Sequence, residues 1–351
     1  MWREGVFTLK ALVNYDEKPG SVELREVDSP VPGPGQVLIK VEATGVCGSD
    51  IHIWKGPVSW QMKRPLTMGH EYAGSIVEVG PGVTLWHAGD RVTGETAAEI
   101  CGRCVYCRTG NYNLCPERKG YGALYDGSMA EYMVVREGIL HRIPEELTFV
   151  EAALTEPSAV AFNAVYVKSK VVPGDFVVVI GPGTIGLMAL QMVKLSSPLK
   201  TIMVGLSKDE VRMKISSSFG ADQLVYSDRE DAVELVKKYV DGHGADLVVD
   251  AVGLAATIDL SLKIVRPNGQ ITKIGWDPNP FEGSIDTLVA KAATMQGSFS
   301  HTWTTWERVL SLAAKKKLDR SPMFKTFTMS EWHEAFKSMD NLSLAKAVLI
   351  P

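Results

Sequence analysis

The sequence predicts an α/β chain in two parts: an irregular, mainly β unit up to about Glu156, then a doubly wound parallel sheet wrapped by helices. Three observations predict it. Before Glu156, short strand-like runs are broken repeatedly by Gly and Pro. After it, β-branched runs alternate with helical patterns, which implies βαβ units. One of those junctions is Gly181-Pro182-Gly183-Thr184-Ile185-Gly186, a glycine turn set between a strand-like run and an apolar helix. At 351 residues the chain is long for a single core and fits two domains.

In order, the first part offers strand-like runs at 37–43, 74–79, 91–94 and 129–135. The second part opens with the β-branched run 176–180, which leads through the glycine turn into a helix ending near Lys194. Further strands are expected at 201–204, 223–226, 246–250 and 270–274, with helical patterns between them. From about Gly297 the tail adds one amphipathic stretch, 306–317, and a short strand at 346–349. No internal repeat and no low-complexity segment interrupts this order.

Composition sets limits on function. A net charge of -4 lacks the basic footprint of a nucleic-acid binder. Residues 1–10 have no apolar core behind a basic start, so no secretory leader is expected, and no apolar run approaches the roughly 20 residues of a membrane span. The expected address is cytoplasmic. Of the five cysteines, Cys101, Cys104, Cys107 and Cys115 crowd together while Cys47 stands alone. An odd count without a leader fits a disulfide framework poorly and fits metal better.

The glycine turn matches a dinucleotide fingerprint. Gly181 permits the tight turn, Gly183 lets a pyrophosphate approach, and Gly186 lets the helix pack closely, with Thr184 and Ile185 between them. Such a site usually carries an acid about 20 positions on, against the ribose hydroxyls. Here the second strand ends at Val204 and Gly205 follows. A glycine removes repulsion against a 2′-phosphate, and Ser207, Lys208 and Arg212 offer donors and positive charge. The sequence therefore favours NADP over NAD. Val252 completes the cofactor-binding candidates.

Two metal constellations stand out. Cys101-x-x-Cys104-x-x-Cys107 with Cys115 presents four thiolates to one ion, the ligand set of a closed structural zinc site. The second constellation is dispersed. Cys47-Gly48-Ser49-Asp50-Ile51-His52 brings a thiol, a hydroxyl and an imidazole together; Gly69-His70-Glu71 sets an imidazole beside a carboxylate; Glu156-Pro157 adds another carboxylate. Mixed sulfur, nitrogen and oxygen ligation with one exchangeable position is what a catalytic zinc requires. Taken singly, each residue has a structural explanation, and sequence distance alone does not assemble them.

Together these stretches resemble the zinc-containing medium-chain dehydrogenase/reductase family over essentially the whole chain, most of all its polyol (sorbitol-type) members. The resemblance rests on residues 45–52, 69–74, 89–92, the four-cysteine lobe, 126–132, Glu156-Pro157 and the glycine fingerprint. It implies a GroES-like β catalytic domain at 1–156 with a zinc lobe at 95–118, a Rossmann domain at 157–296, and a tail, 297–351, returning to the first domain. It implies hydride transfer between a small secondary alcohol or polyol and NAD(P), with two zinc ions per subunit. Cys47 and His70 would bind the catalytic zinc, with Glu71 or Glu156 as the remaining protein ligand. Ser49 and His52 would carry the released proton through the cofactor ribose. Homodimers or homotetramers are expected. The sequence departs from the sorbitol-type pattern where an Arg-Tyr pair is replaced by Ser300-His301. Trp54, Tyr121, Tyr125 and His301 are the candidates for the substrate wall. An amino-alcohol (threonine-type) dehydrogenase and an NADP-linked simple alcohol dehydrogenase are the alternatives. A zinc-free quinone reductase or an idle relative is disfavoured, since both cysteine constellations are present.

Overall fold

The computed structural model describes residues 8–351. The expectation of no leader in residues 1–10 therefore falls mostly outside the described residues.

Phe176–Ile180 consists of Phe, Val and Ile, and Val177, Val178 and Val179 are fully buried. Branched side chains on both faces suit a strand covered by helices on either side. It lies mid-sheet among six parallel strands, in the order Gln223–Tyr226, Lys200–Gly205, Phe176–Ile180, Ala245–Asp250, Val265–Lys273 and Thr294–Gly297. Strand order reverses between Phe176–Ile180 and Ala245–Asp250, where Ile180 pairs with Asp250. At such a switch point a doubly wound sheet opens a ligand crevice. Helix Thr184–Leu195 starts there and is buried from Gly186 through Val193, as its apolar sequence requires.

A second, seven-stranded sheet joins distant parts of the chain. Gln36–Gly45 pairs antiparallel with Glu71–Val79 and Tyr132–Arg136, and its end pairs with Lys346–Ile350. Gly45 faces both Glu71 and Val348 in register. The tail thus delivers Lys346 to the neighbourhood of Glu71. Ala43 and Ala73 of this sheet share one hydrophobic core with Val177, Leu187 and Trp306, so the two halves pack on a common interior.

Runs 91–94, 176–180 and 223–226 coincide with Arg91–Gly94, Phe176–Ile180 and Gln223–Tyr226. Elsewhere the structure differs. The strand expected from Gly74 begins at Glu71, a buried charge that hides its start from any hydrophobicity pattern. The run at 129–135 shortens to Tyr132–Arg136, because the Met129 backbone bonds Leu12 and Met68 instead. Thr8–Asn14 and Val22–Asp28, which pair antiparallel, escaped the sequence reading. Val22–Asp28 is mostly solvent-facing and rich in charge, so its alternation is weak. Among the described residues no helix is long and apolar enough to cross a membrane.

Candidate active site

Cys47 caps helix Gly48–Lys55, and Asp50 closes that turn by accepting the Cys47 N–H at 2.8 Å. A side chain three positions into a helix that reaches back to the cap fixes the cap in place. His70 and Glu71 arrive at the head of strand Glu71–Val79. A Cys47 sulfur, a His70 ring nitrogen and a Glu71 oxygen all lie within 4.8 Å of one another. Cys47 and His70 are half-buried and Glu71 is fully buried, so the group opens on its thiol and imidazole side. Burial by itself would push the His70 imidazole down. The hydrogen bond and charge of Cys47, with Asp50 and Glu156 beyond, raise it instead to about 10. Anions gathered this closely fit a cation, and the sulfur–nitrogen–oxygen donor set fits zinc.

The carboxylates are held from behind. Lys346 Nζ donates to Glu71 Oε1 at 2.6 Å and to the Val46 carbonyl at 2.8 Å. A Cβ on Gly45 would lie 2.1 Å from Glu71 Oε2, so only glycine leaves that carboxylate its room. Glu156 Oε1 lies 3.2 Å from His301 Nε2, while the Trp306 indole donates to His301 Nδ1 at 2.8 Å. Behind His301 stands Glu95, whose two oxygens accept from the Tyr112 hydroxyl at 2.8 and 2.7 Å. His141 joins Glu95 at 3.3 Å to Glu307 at 2.6 Å. Burial would raise the Glu95 carboxyl, but His141 and His301 hold it at about 2. Ionised Glu95 thus anchors a buried polar cluster that reaches Glu156 through His301.

Tyr112 belongs to the four-cysteine lobe. Cys101, Cys104, Cys107 and Cys115 present sulfurs within 4.8 Å of one another, and Cys101 and Cys107 sulfurs are 3.9 Å apart. Zinc–sulfur bonds of about 2.3 Å in a tetrahedron give an edge of about 3.8 Å. Backbone N–H groups of Cys101, Cys104 and Cys107 point at the sulfurs of Cys115, Cys101 and Cys104. The lobe fits a structural zinc.

The glycine turn is shaped for a dinucleotide. Gly181 has φ +94°, and a Cβ there would lie 2.3 Å from Val252 Cγ2. A Cβ on Gly186 would lie 1.8 Å from the Gly181 carbonyl oxygen, whereas Gly183 faces open space. The first and third glycines serve turn and packing, and the second leaves the approach clear for a pyrophosphate at the helix N-terminus. The Thr184 hydroxyl donates to the Ala345 carbonyl at 2.7 Å, which ties the start of this helix to the tail.

Known proteins agree with this arrangement. Residues 33–145 match the alcohol dehydrogenase GroES-like domain and 184–315 the zinc-binding dehydrogenase domain. A sorbitol dehydrogenase of Halalkalibacterium halodurans is 39% identical over 345 residues, covering 98% of this chain and 99% of that one. The chain belongs to the zinc-dependent medium-chain dehydrogenases. A D-arabitol-phosphate dehydrogenase of Enterococcus avium is 38% identical, over 91% of this chain and 92% of its own. Among solved structures, a zinc-binding dehydrogenase from Sinorhizobium meliloti bound to NADP superposes with TM-score 0.90 at 28% identity, covering 98% of this chain and 100% of that one. An E. coli alcohol dehydrogenase complexed with NADH does so with TM-score 0.90 at 25% identity, covering 98% and 99%. The protein is an oxidoreductase of the alcohol and polyol class.

Several expected site residues of the dehydrogenase lie elsewhere. Arg212, expected at the cofactor, is a correction: it is buried, and its guanidinium donates to the carbonyls of Leu344 at 2.7 Å and Met339 at 2.9 Å. Its helix turns that face to the tail, so the charge never reaches a 2′-phosphate. Replacing Arg212 with Met is expected to cost about 2 kcal/mol of stability through the orphaned carbonyls. Relative affinity for NAD and NADP should not change, as denaturant unfolding and dinucleotide titration will show. Trp54 packs edge-on to His333 and Phe336, at ring distances of 5.6 and 6.0 Å. Tyr121 sits between Tyr72 and Tyr125, and the Tyr125 hydroxyl bonds Glu99. Both tyrosines line a cleft with Leu66, Asp126 and Tyr132, whose walls include none of Cys47, His70 and Glu71. Of the four wall candidates, His301 is the one bonded to a site carboxylate.

Other residues went unread. Asp50 was detectable from its spacing to Cys47 as a cap. Lys346 and Glu95 gave no local signal. Arg118 donates to Thr96 at 2.7 Å and lies within the fields of Glu156 and Glu95, which brings a cation to the Glu156 side.

Proposed function

We propose that this dehydrogenase oxidises a secondary hydroxyl of a polyol to the ketone. The observation that supports it most directly is the gathering of Cys47, His70 and Glu71 within 4.8 Å. Zinc held by Cys47, His70 and Glu71 would supply Lewis-acid polarisation of the substrate hydroxyl, and NAD(P) over Gly181, Gly183 and Gly186 would accept the hydride. Asp50 orients the Cys47 turn, and Lys346 balances the charge of Glu71. Glu156, steadied by His301, accepts hydrogen bonds from water entering the site. Ser49 takes the hydroxyl proton, since a hydroxyl donates and accepts at once. His52 lies three residues along the same helix and is exposed, which suits it to pass that proton to solvent. The four-cysteine lobe would hold a second, structural zinc.

The same reading takes 1–156 and the tail 297–351 as the catalytic unit and 157–296 as the dinucleotide unit, in a cytoplasmic homodimer or homotetramer. The sequence-based preference for NADP loses one of its supports, because Arg212 bonds the tail. The test is reduced-nicotinamide absorbance with zinc-replete protein, NAD or NADP, and a panel of polyols, polyol phosphates, simple alcohols and L-threonine. Cofactor reduction with a polyol or its phosphate is expected. Turnover of threonine without polyols would put the amino-alcohol reading in its place.

A further inference from the structure

Gly205 ends the second strand of the parallel sheet, where an acid against the adenosine ribose is usually found. The structure gives that glycine a packing reason. A Cβ there would lie 2.7 Å from Met213 Sδ and 3.1 Å from Pro182 Cδ. A side chain there would have to push the Met213 thioether aside and crowd the Pro182 ring, so packing gives the glycine a reason of its own, separate from any 2′-phosphate.

A carboxylate reaches the same place from the next strand. Gln223–Tyr226 pairs in register with the second strand, Tyr226 beside Gly205, and the Ser227 N–H donates to the Gly205 carbonyl at 3.0 Å. Asp228 follows. Its Oδ1 accepts the Ser207 N–H at 2.8 Å, and its Oδ2 accepts the Ser207 hydroxyl. Ser207 lies two residues past Gly205, so the N–H and hydroxyl that it would offer to a phosphate already serve a carboxylate. Those hydrogen bonds from Ser207 also hold the Asp228 carboxyl below its ordinary range, so it is ionised at neutral pH.

We propose that Asp228 takes the part of the missing second-strand acid and makes this enzyme select NAD over NADP. A carboxylate has about four acceptor sites, and Ser207 occupies two. The remaining sites can accept ribose hydroxyls, which NAD presents and which NADP replaces with a phosphate. Like charges then face each other across the pocket. Lys208 and Arg229 are the opposing cations. Lys208 is an exposed flexible chain that must be ordered to help, and Arg229 lies over the Tyr226 ring at 5.8 Å. Asp228 is already fixed by two hydrogen bonds, so its repulsion prevails.

This rests on the dinucleotide part of the reading above and on none of its substrate chemistry. The test is calorimetric titration with NAD, NADP, 5′-AMP and 2′,5′-ADP, ligands whose binding needs neither alcohol nor turnover. Wild-type protein is expected to bind NAD and 5′-AMP at least about tenfold more tightly than their 2′-phosphorylated counterparts. In Asp228→Asn, an exposed and shape-conserving change, that gap should shrink about tenfold. The remote charge control Glu145→Gln should keep it. Equal or tighter binding of NADP by wild type overturns the proposal, as does an Asp228→Asn ratio equal to wild type. Failure of all four to bind overturns it together with the dinucleotide reading, whereas absence of polyol turnover leaves these affinities untouched.

Discussion

Cys47→Ala is expected to leave a folded protein that retains one zinc ion per subunit and turns over at least about a thousandfold more slowly. The thiol is one of three donors in a half-open group, and a methyl offers the metal nothing. The four-cysteine lobe shares no ligand with that group, so its ion should stay. Cys47 is half-buried and its helix is capped by the Asp50 carboxylate on the backbone N–H, which the substitution preserves. Metal analysis and steady-state kinetics on the same sample decide the matter. Retention of both ions, or activity within about tenfold of wild type, would show that Cys47 does not hold a catalytic metal.

Lys346→Met should have the largest effect on stability. Lys346 and Glu71 are both fully buried and in contact, and removing one partner of such a pair costs about 3–5 kcal/mol because the other charge is stranded. Metal changes the outcome in an informative way. A cation beside Glu71 would take over part of the work of Lys346, so the loss should be large in chelator-treated protein and smaller in zinc-replete protein. The double change Glu71→Gln with Lys346→Met should cost less than the sum of the two single changes. Denaturant unfolding of the four proteins, with and without zinc, measures all of this. A loss below about 1 kcal/mol in the chelated single variant would mean that the pair does not carry its charge.

The parts of the site legible from sequence are those whose chemistry is local. The glycine turn spans six consecutive residues and the cysteine lobe fifteen positions, so spacing alone reports them. Cys47, His70 and Glu71 were recognisable by type and by resemblance, yet their assembly needed the pairing of Gln36–Gly45 with Glu71–Val79. What stayed hidden was the support behind them. Lys346 is 275 residues from Glu71, and a lysine near a strand in the tail looks like any solvated cation. Glu95, His141 and Tyr112 are ordinary polar residues until three separate segments converge on them. Arg212 misled because a helical arginine near a cofactor loop carries no mark of which way it faces. Gly205 misled differently: its lack of a side chain answers to Met213 and Pro182, neighbours that the linear order conceals.

The contact between Lys346 and Glu71 also orders events in time. A chain emerging from the ribosome presents Glu71 and the open edge of Gln36–Gly45 long before Lys346–Ile350 is made. Through that interval the β unit holds Glu71 without its counter-charge, and Thr44 and Gly45 without their partners in the tail strand. Contacts of such sequence separation form late and slowly. The contiguous β segment is therefore completed only when the tail arrives, after the dinucleotide sheet encoded in between has been made.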